Sequence, residues 1–260
     1  MTTWTCFLES PARAEHAAQV YRDVAELAVS VGAYLAAGFE RGEPAIVIVT
    51  PSHWEAVAAR LAYAGWDVDG LEGAGLLTRL DAEATLASLI VGDHPAPGRF
   101  LQVVGDVLDE VAGRFPGSGV RAFGEMVDLL AQRGLDRAAI ALEELWNRLL
   151  ESRRCAVLCA YELDIFDLEA QTSVLPEILR THTHPRPAAD TARLAGAVHE
   201  ALTDVLGSDA AAWIYLKVAE AVPRTALPRA QAVLMWLSRH QPSTARRVLQ
   251  GARARYAQTA

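Results

Sequence analysis

Two continuous apolar runs, AIVIVT (45–50) and CAVLCAY (155–161), constrain this chain more than any other feature. Runs of that length and character belong to strands buried on both faces, the situation in a parallel sheet covered by helices. Two further short segments, LLTRL (76–80) and VRAFGE (120–125), read as strands of the same sheet. Helical periodicity fills the gaps. From His16 to Arg41, apolar residues recur at Val20, Val24, Leu27, Val31, Tyr34 and Leu35, and Gly42 provides a C-terminal stop. Pro51 and Ser52 open a second helix, with Ser52 and Glu55 at capping-box spacing and Gly65 at its end. Other helices are expected from about Ala82, from Gly98 to Phe115, and in two stretches after Glu125 to about Ser152. Strands alternating with helices predict an α/β sandwich with a mostly parallel sheet.

The pattern changes at THTHPRPAAD (181–190), a proline-rich segment that cannot continue a helix. A boundary near 185 divides the chain into an α/β domain, 1–184, and a C-terminal domain, 185–260. No strand pattern follows residue 188. Four amphipathic segments, with breaks at Pro223 and Pro228, predict a small bundle of about four helices. Charge divides in the same place: residues 1–184 hold 27 acidic and 14 basic side chains, residues 185–260 hold 5 and 10.

Lys217 is the sole lysine among 24 basic residues, and it has neither a preceding glycine nor a following hydroxyl. A phosphate-binding loop needs both, so P-loop ATP hydrolysis is not expected, nor is a lysine Schiff base. No GxSxG, HExxH or dinucleotide-type glycine fingerprint occurs. The reading is of a protein that is not an enzyme and carries no cofactor. No apolar run approaches the roughly 18 residues of a membrane span. The opening MTTWTCFLES lacks a positive n-region, which predicts a cytoplasmic protein with three reduced cysteines.

Ligands of open parallel sheets bind beyond the carboxyl ends of the strands. Those positions here are polar: Thr50, Ser52 and His53, then Asp81, then Glu125, then Tyr161 and Glu162. The competing reading makes Thr50, Ser52 and Asp81 helix caps and sets Glu125 at the positive end of a helix. Glu143, Trp146 and Asn147 share one side of a helix and either line a pocket or serve the core. Cys155 and Cys159 share one strand face about 13 Å apart, too far for a common zinc. His182 and His184 have no third ligand near them in sequence, Cys6 and Cys159 read as core thiols, and no metal site is expected.

Six segments together resemble the MEDS domain, the sensory domain named after methanogen and methylotroph regulators of the DcmR type. They are His16 with Tyr21, YLAAGFERGEPAIVIVT (34–50), GLLTRLDA (75–82), RAFGEMVDLL (121–130), ALEELWNRL (141–149) and LCAYELDIF (158–166). The resemblance runs from about residue 16 to 166. It implies a degenerate RecA- or KaiC-like three-layer sandwich, with SPARAEHAA (10–18) in place of the P-loop. It further implies that the domain senses a small molecule, proposed for the family to be a hydrocarbon derivative, and carries over Glu125 and Glu143 as motif acids.

The expectation is therefore a cytoplasmic sensory or regulatory protein with a small-molecule site formed from His16, Tyr21, Thr50, His53, Asp81, Glu125, Glu143, Trp146, Asn147 and Tyr161. The helical tail would signal to a regulatory protein partner, and homo-oligomers are compatible with this reading. Two alternatives stay open. One is a nucleotide-binding protein or enzyme in which Arg121 or Arg99 meets phosphate. The other is a scaffold that binds protein or nucleic acid through Arg246, Arg247, Arg253 and Arg255 of the basic tail.

Overall fold

A computed structural model describes residues 3–188, 190–221 and 227–258. Pro223 lies outside the described residues. The strands, in chain order, are β1 (His16–Tyr21), β2 (Ala45–Val49), β3 (Leu77–Asp81), β4 (Ile90–Val91), β5 (His94–Pro95), β6 (Val120–Gly124), β7 (Cys155–Glu162) and β8 (His184–Arg186). Six of them form one sheet in the order β3-β2-β6-β7-β1-β8, while β4 and β5 make a separate two-stranded hairpin. The pairs β2–β3, β2–β6, β6–β7 and β1–β7 are all parallel. The expected α/β sandwich with a parallel sheet is what the chain forms.

One segment differs from the periodicity reading. Residues 16–21, expected as the start of a long helix, form β1, and every residue of that strand is buried. Asp23 explains the boundary: its side chain accepts the backbone N–H of Glu26 and caps the helix Val24–Phe39. The apolar spacing continues across both elements, so periodicity alone merged them. The next helix, Pro51–Tyr63, starts after Thr50 with proline at its first position, leaving Ser52 inside its first turn.

Strand alternation sorts the side chains into two faces. Ala17, Tyr21, Ala45, Val47, Val49, Phe123, Ala156, Leu158 and Ala160 join a core with the helices Val24–Phe39 and Pro51–Tyr63. His16, Ile46, Ile48, Ala122, Val157, Cys159 and Tyr161 occupy the alternate positions. On that second face lies the helix Asp136–Ser152, which buries Leu142, Glu143, Leu145, Trp146, Leu149 and Leu150.

Arg121 is fully buried on the first face. It donates to the Glu43 carboxylate at 2.6 Å and to the carbonyls of Leu8, Tyr34 and Glu9 at 2.7, 2.7 and 2.9 Å. These bonds hold the carbonyl end of the first helix, Thr3–Glu9. Gly38 makes room for this side chain, since a Cβ there would sit 2.5 Å from the arginine Cδ.

The chain divides into two compact units, residues 1–162 with 181–184, and residues 163–180 with 185–260. The second unit contains the helices Thr191–Leu206, Ser208–Ala221, Arg229–His240 and Pro242–Gln258. Its internal ties include the Phe166–Tyr256 ring pair, a Gln231 to Gln171 side-chain bond at 2.8 Å, and ion pairs of Arg253 with Asp164 and Arg255 with Asp204. The helical tail expected after residue 188 is present among the described residues. No helix there is long and apolar enough to cross a membrane.

Candidate functional site

Two polar groups gather in the first unit, and between them they take up most of the residues singled out from the sequence. The first lies at the carboxyl edge of β1, β2, β6 and β7. Glu125, immediately after β6, is buried and accepts the backbone N–H of Thr50. Its other oxygen accepts from Nδ1 of His53 at 2.7 Å. That hydrogen bond, and the carboxylate charge behind it, raise the His53 pKa above the ordinary histidine value despite partial burial. The ring of Tyr21 meets His53 edge-on at 5.9 Å, and its hydroxyl donates to buried Asp128 at 3.0 Å. Asp128 also accepts from the Gln132 amide and from the Glu162 backbone N–H. Burial pushes the Asp128 carboxyl up to about 6, and burial together with Asp128 lifts the Tyr21 hydroxyl above its usual value.

The second group lies under the helix Asp136–Ser152. Glu143 and Asn147 descend from consecutive turns of that helix, Cys159 and Tyr161 rise from β7, His16 comes from the start of β1, and His182 follows the helix Val174–Thr181. Nε2 of His16 is 3.2 Å from Glu143 Oε2 and 3.3 Å from Cys159 Sγ. Cys159 Sγ is 3.4 Å from Glu143 Oε2, and His182 Nε2 is 3.2 Å from Glu143 Oε1. Tyr161 donates its hydroxyl to Glu143. The two imidazoles lie with ring centroids 4.1 Å apart and their planes tilted by 48°. His16, Glu143, Cys159 and His182 are all buried, and one ligand atom from each lies within 4.8 Å of the others.

Burial shapes the electrostatics of this group. Desolvation and the neighbouring His182 lower the pKa of His16. Burial alone would raise that of Glu143, but His182 and His16 outweigh it and hold the carboxyl below its ordinary range. Burial, reinforced by Glu143, lifts both the Cys159 thiol and the Tyr161 hydroxyl.

The remaining sequence candidates sit elsewhere. Asp81 ends β3 and caps the following helix by accepting the Ala84 N–H at 2.7 Å. Trp146 is buried against the edge of Phe100 at 5.2 Å, beside Gly124, so it faces core rather than the polar group. Cys6, read as a core thiol, is exposed because it lies on the outward side of the first helix; Cys155 and Cys159 are buried. Arg121 spends its donors on Glu43 and backbone carbonyls, and Arg99 points its guanidinium at the Ser88 and Ile90 carbonyls. Of the residues in these groups, Asp128 is not singled out from the sequence, while Cys159 reads as a core thiol and His182 as half of an HxH pair without a third ligand.

The family model of the MEDS domain, the methanogen/methylotroph, DcmR sensory domain, matches residues 15–183. The chain belongs to the MEDS family. Both polar groups fall inside the matched stretch, from His16 near its beginning to His182 at its end. A comparison with curated proteins finds no match. A sensory or regulatory role is what membership of the MEDS family gives this chain.

Proposed function

We propose that this MEDS protein is a cytoplasmic sensor whose α/β unit binds a small molecule at the carboxyl edge of its parallel sheet, and whose helical region passes the signal to a regulatory protein partner. One observation carries this reading. Thr50, His53, Glu125, Tyr21 and Asp128, drawn from three separate segments of the chain, converge where open parallel sheets bind their ligands. Two buried carboxylates there face hydrogen-bond donors rather than arginine or lysine. A carboxylate-lined edge suits a neutral or cationic molecule that brings its own N–H or O–H donors, and it repels polyanions. Signalling requires the ligand to bind one conformation of the protein better than another.

The test is native mass spectrometry of the freshly purified full chain, followed by thermal-shift titration with small alcohols, amines and halogenated hydrocarbons. A retained or stabilising compound whose effect disappears in Glu125→Gln and His53→Ala supports the reading. A compound that binds those two variants as tightly as the parent protein places the ligand elsewhere.

A further inference from the structure

We propose that His16, Glu143, Cys159 and His182 bind one divalent transition-metal ion of the zinc class. The site is separate from the carboxyl-edge group and does not depend on a ligand binding there.

Distances are the first support. Zinc-class ions hold nitrogen and oxygen at about 2.0–2.2 Å and sulfur at about 2.3 Å in a tetrahedron, whose edges are then about 3.3–3.8 Å. The donor atoms already stand 3.2 Å (His16 to Glu143), 3.3 Å (His16 to Cys159) and 3.4 Å (Cys159 to Glu143) apart. His182 completes the set 3.2 Å from the second carboxylate oxygen. Small outward shifts of these side chains open the centre for an ion.

Orientation is the second. The Asn147 amide nitrogen donates to the Thr181 carbonyl at 3.0 Å, which turns its oxygen toward Nδ1 of His16 at 2.9 Å. That oxygen can only accept, so Nδ1 of His16 carries the proton and Nε2 presents its lone pair to the cluster. Thr181 Oγ1 lies 2.9 Å from Nδ1 of His182 and is able to accept its proton, which is the tautomer a metal-bound Nε2 requires. Histidine ligands of metals are oriented by such partners on their second nitrogen. The Tyr161 hydroxyl does the equivalent for Glu143.

Charge is the third. Two neutral imidazoles, one carboxylate and one thiolate sum to −2, and a divalent ion neutralises them in a place where net charge is costly. Cys159 binds as the thiolate, its proton passing to the buffer. Nitrogen and sulfur donors select zinc, cobalt or iron over magnesium and calcium. Four protein donors and complete burial describe a closed site that ties together β1, β7, the helix Asp136–Ser152 and residues 181–184.

The experiment uses the full chain, stripped with a chelator and reloaded with cobalt(II) or zinc. Elemental analysis should find one metal per chain. The cobalt form should show tetrahedral d–d bands and a thiolate-to-cobalt charge-transfer band. Cys159→Ser should lose the charge-transfer band and weaken binding at least 100-fold, while Cys155→Ala should change neither. Asn147→Leu, which removes an orienting partner, should weaken binding about 10–100-fold. The proposal is overturned if the folded parent protein binds no stoichiometric metal, if its cobalt form lacks the thiolate band, or if Cys155→Ala loses metal as Cys159→Ser does. The cobalt spectrum of the parent protein decides the matter even if a variant does not fold.

Discussion

The carboxyl-edge group and the group under the helix Asp136–Ser152 use nearly the same residue types to opposite ends. At the edge, Glu125 and Asp128 each serve different partners, and His53 remains partly exposed. Under the helix, two histidines, a cysteine and a carboxylate turn toward one point with no solvent contact. Glutamate beside histidine therefore does not define a function by itself. What separates the two groups is whether the donors diverge toward neighbours or converge on shared space.

The contrast breaks most visibly at the two glutamates. Glu143→Ala leaves the Tyr161 hydroxyl without its acceptor and removes the carboxylate that stands 3.2 Å from both His16 and His182 in the interior. A buried charge network that loses one member costs about 3–5 kcal/mol, to be read from chemical unfolding of the metal-free protein. A loss below ~1 kcal/mol would mean that the cluster is far less tightly linked than its distances indicate.

Asp128 gives the next largest effect, and its sign is set by its raised pKa. The folded state holds the proton up to about pH 6, against an ordinary aspartate value of 3.8. Its contribution to stability is complete below pH 3.8 and is lost as the pH rises through about 6, a change of ~3 kcal/mol. Carbon-13 NMR of the labelled carboxyl should show this titration. A midpoint near 4 would remove the burial argument for the edge group.

Glu125→Gln should cost less than Glu143→Ala, about 1–3 kcal/mol, because the amide oxygen still accepts from Thr50 while the charge opposite His53 is gone. If the two glutamate variants prove equally damaging, the distinction between diverging and converging donors fails. The smallest effect belongs to His53. Its pKa is raised by Glu125, so the stability it contributes is complete below about pH 6.5 and fades as pH climbs through the higher folded-state value. The stability gap between the parent protein and His53→Gln should accordingly narrow from pH 6 to pH 9, and a gap independent of pH would show that the pair carries no charge.

The strands and the edge residues were legible because both leave local marks. AIVIVT and CAVLCAY are apolar throughout, and Thr50, His53 and Glu125 directly follow strands. Glu143 and Asn147 were legible as a helix pair. Cys159 was not, because its strand offers only the distant Cys155 and its true neighbours lie 16, 143 and 23 residues away at Glu143, His16 and His182. His182 and His184 looked like one HxH unit, yet they part company: His182 joins the cluster and His184 pairs with Glu15 at 2.8 Å. Spacing reveals residues that share an element, whereas this cluster draws on four.

The chain leaves the first unit at Glu162, spends residues 163–180 in the second, returns for Thr181–His184, and departs again at Pro185. Those four residues place His182 in the cluster, tie the Thr183 N–H to the His16 carbonyl at 2.7 Å and set His184 against Glu15. They form a stitch, and a stitch has no loose end to fray. The chain enters it from Arg180 and leaves it at Pro185, and both of those neighbours belong to the helical unit.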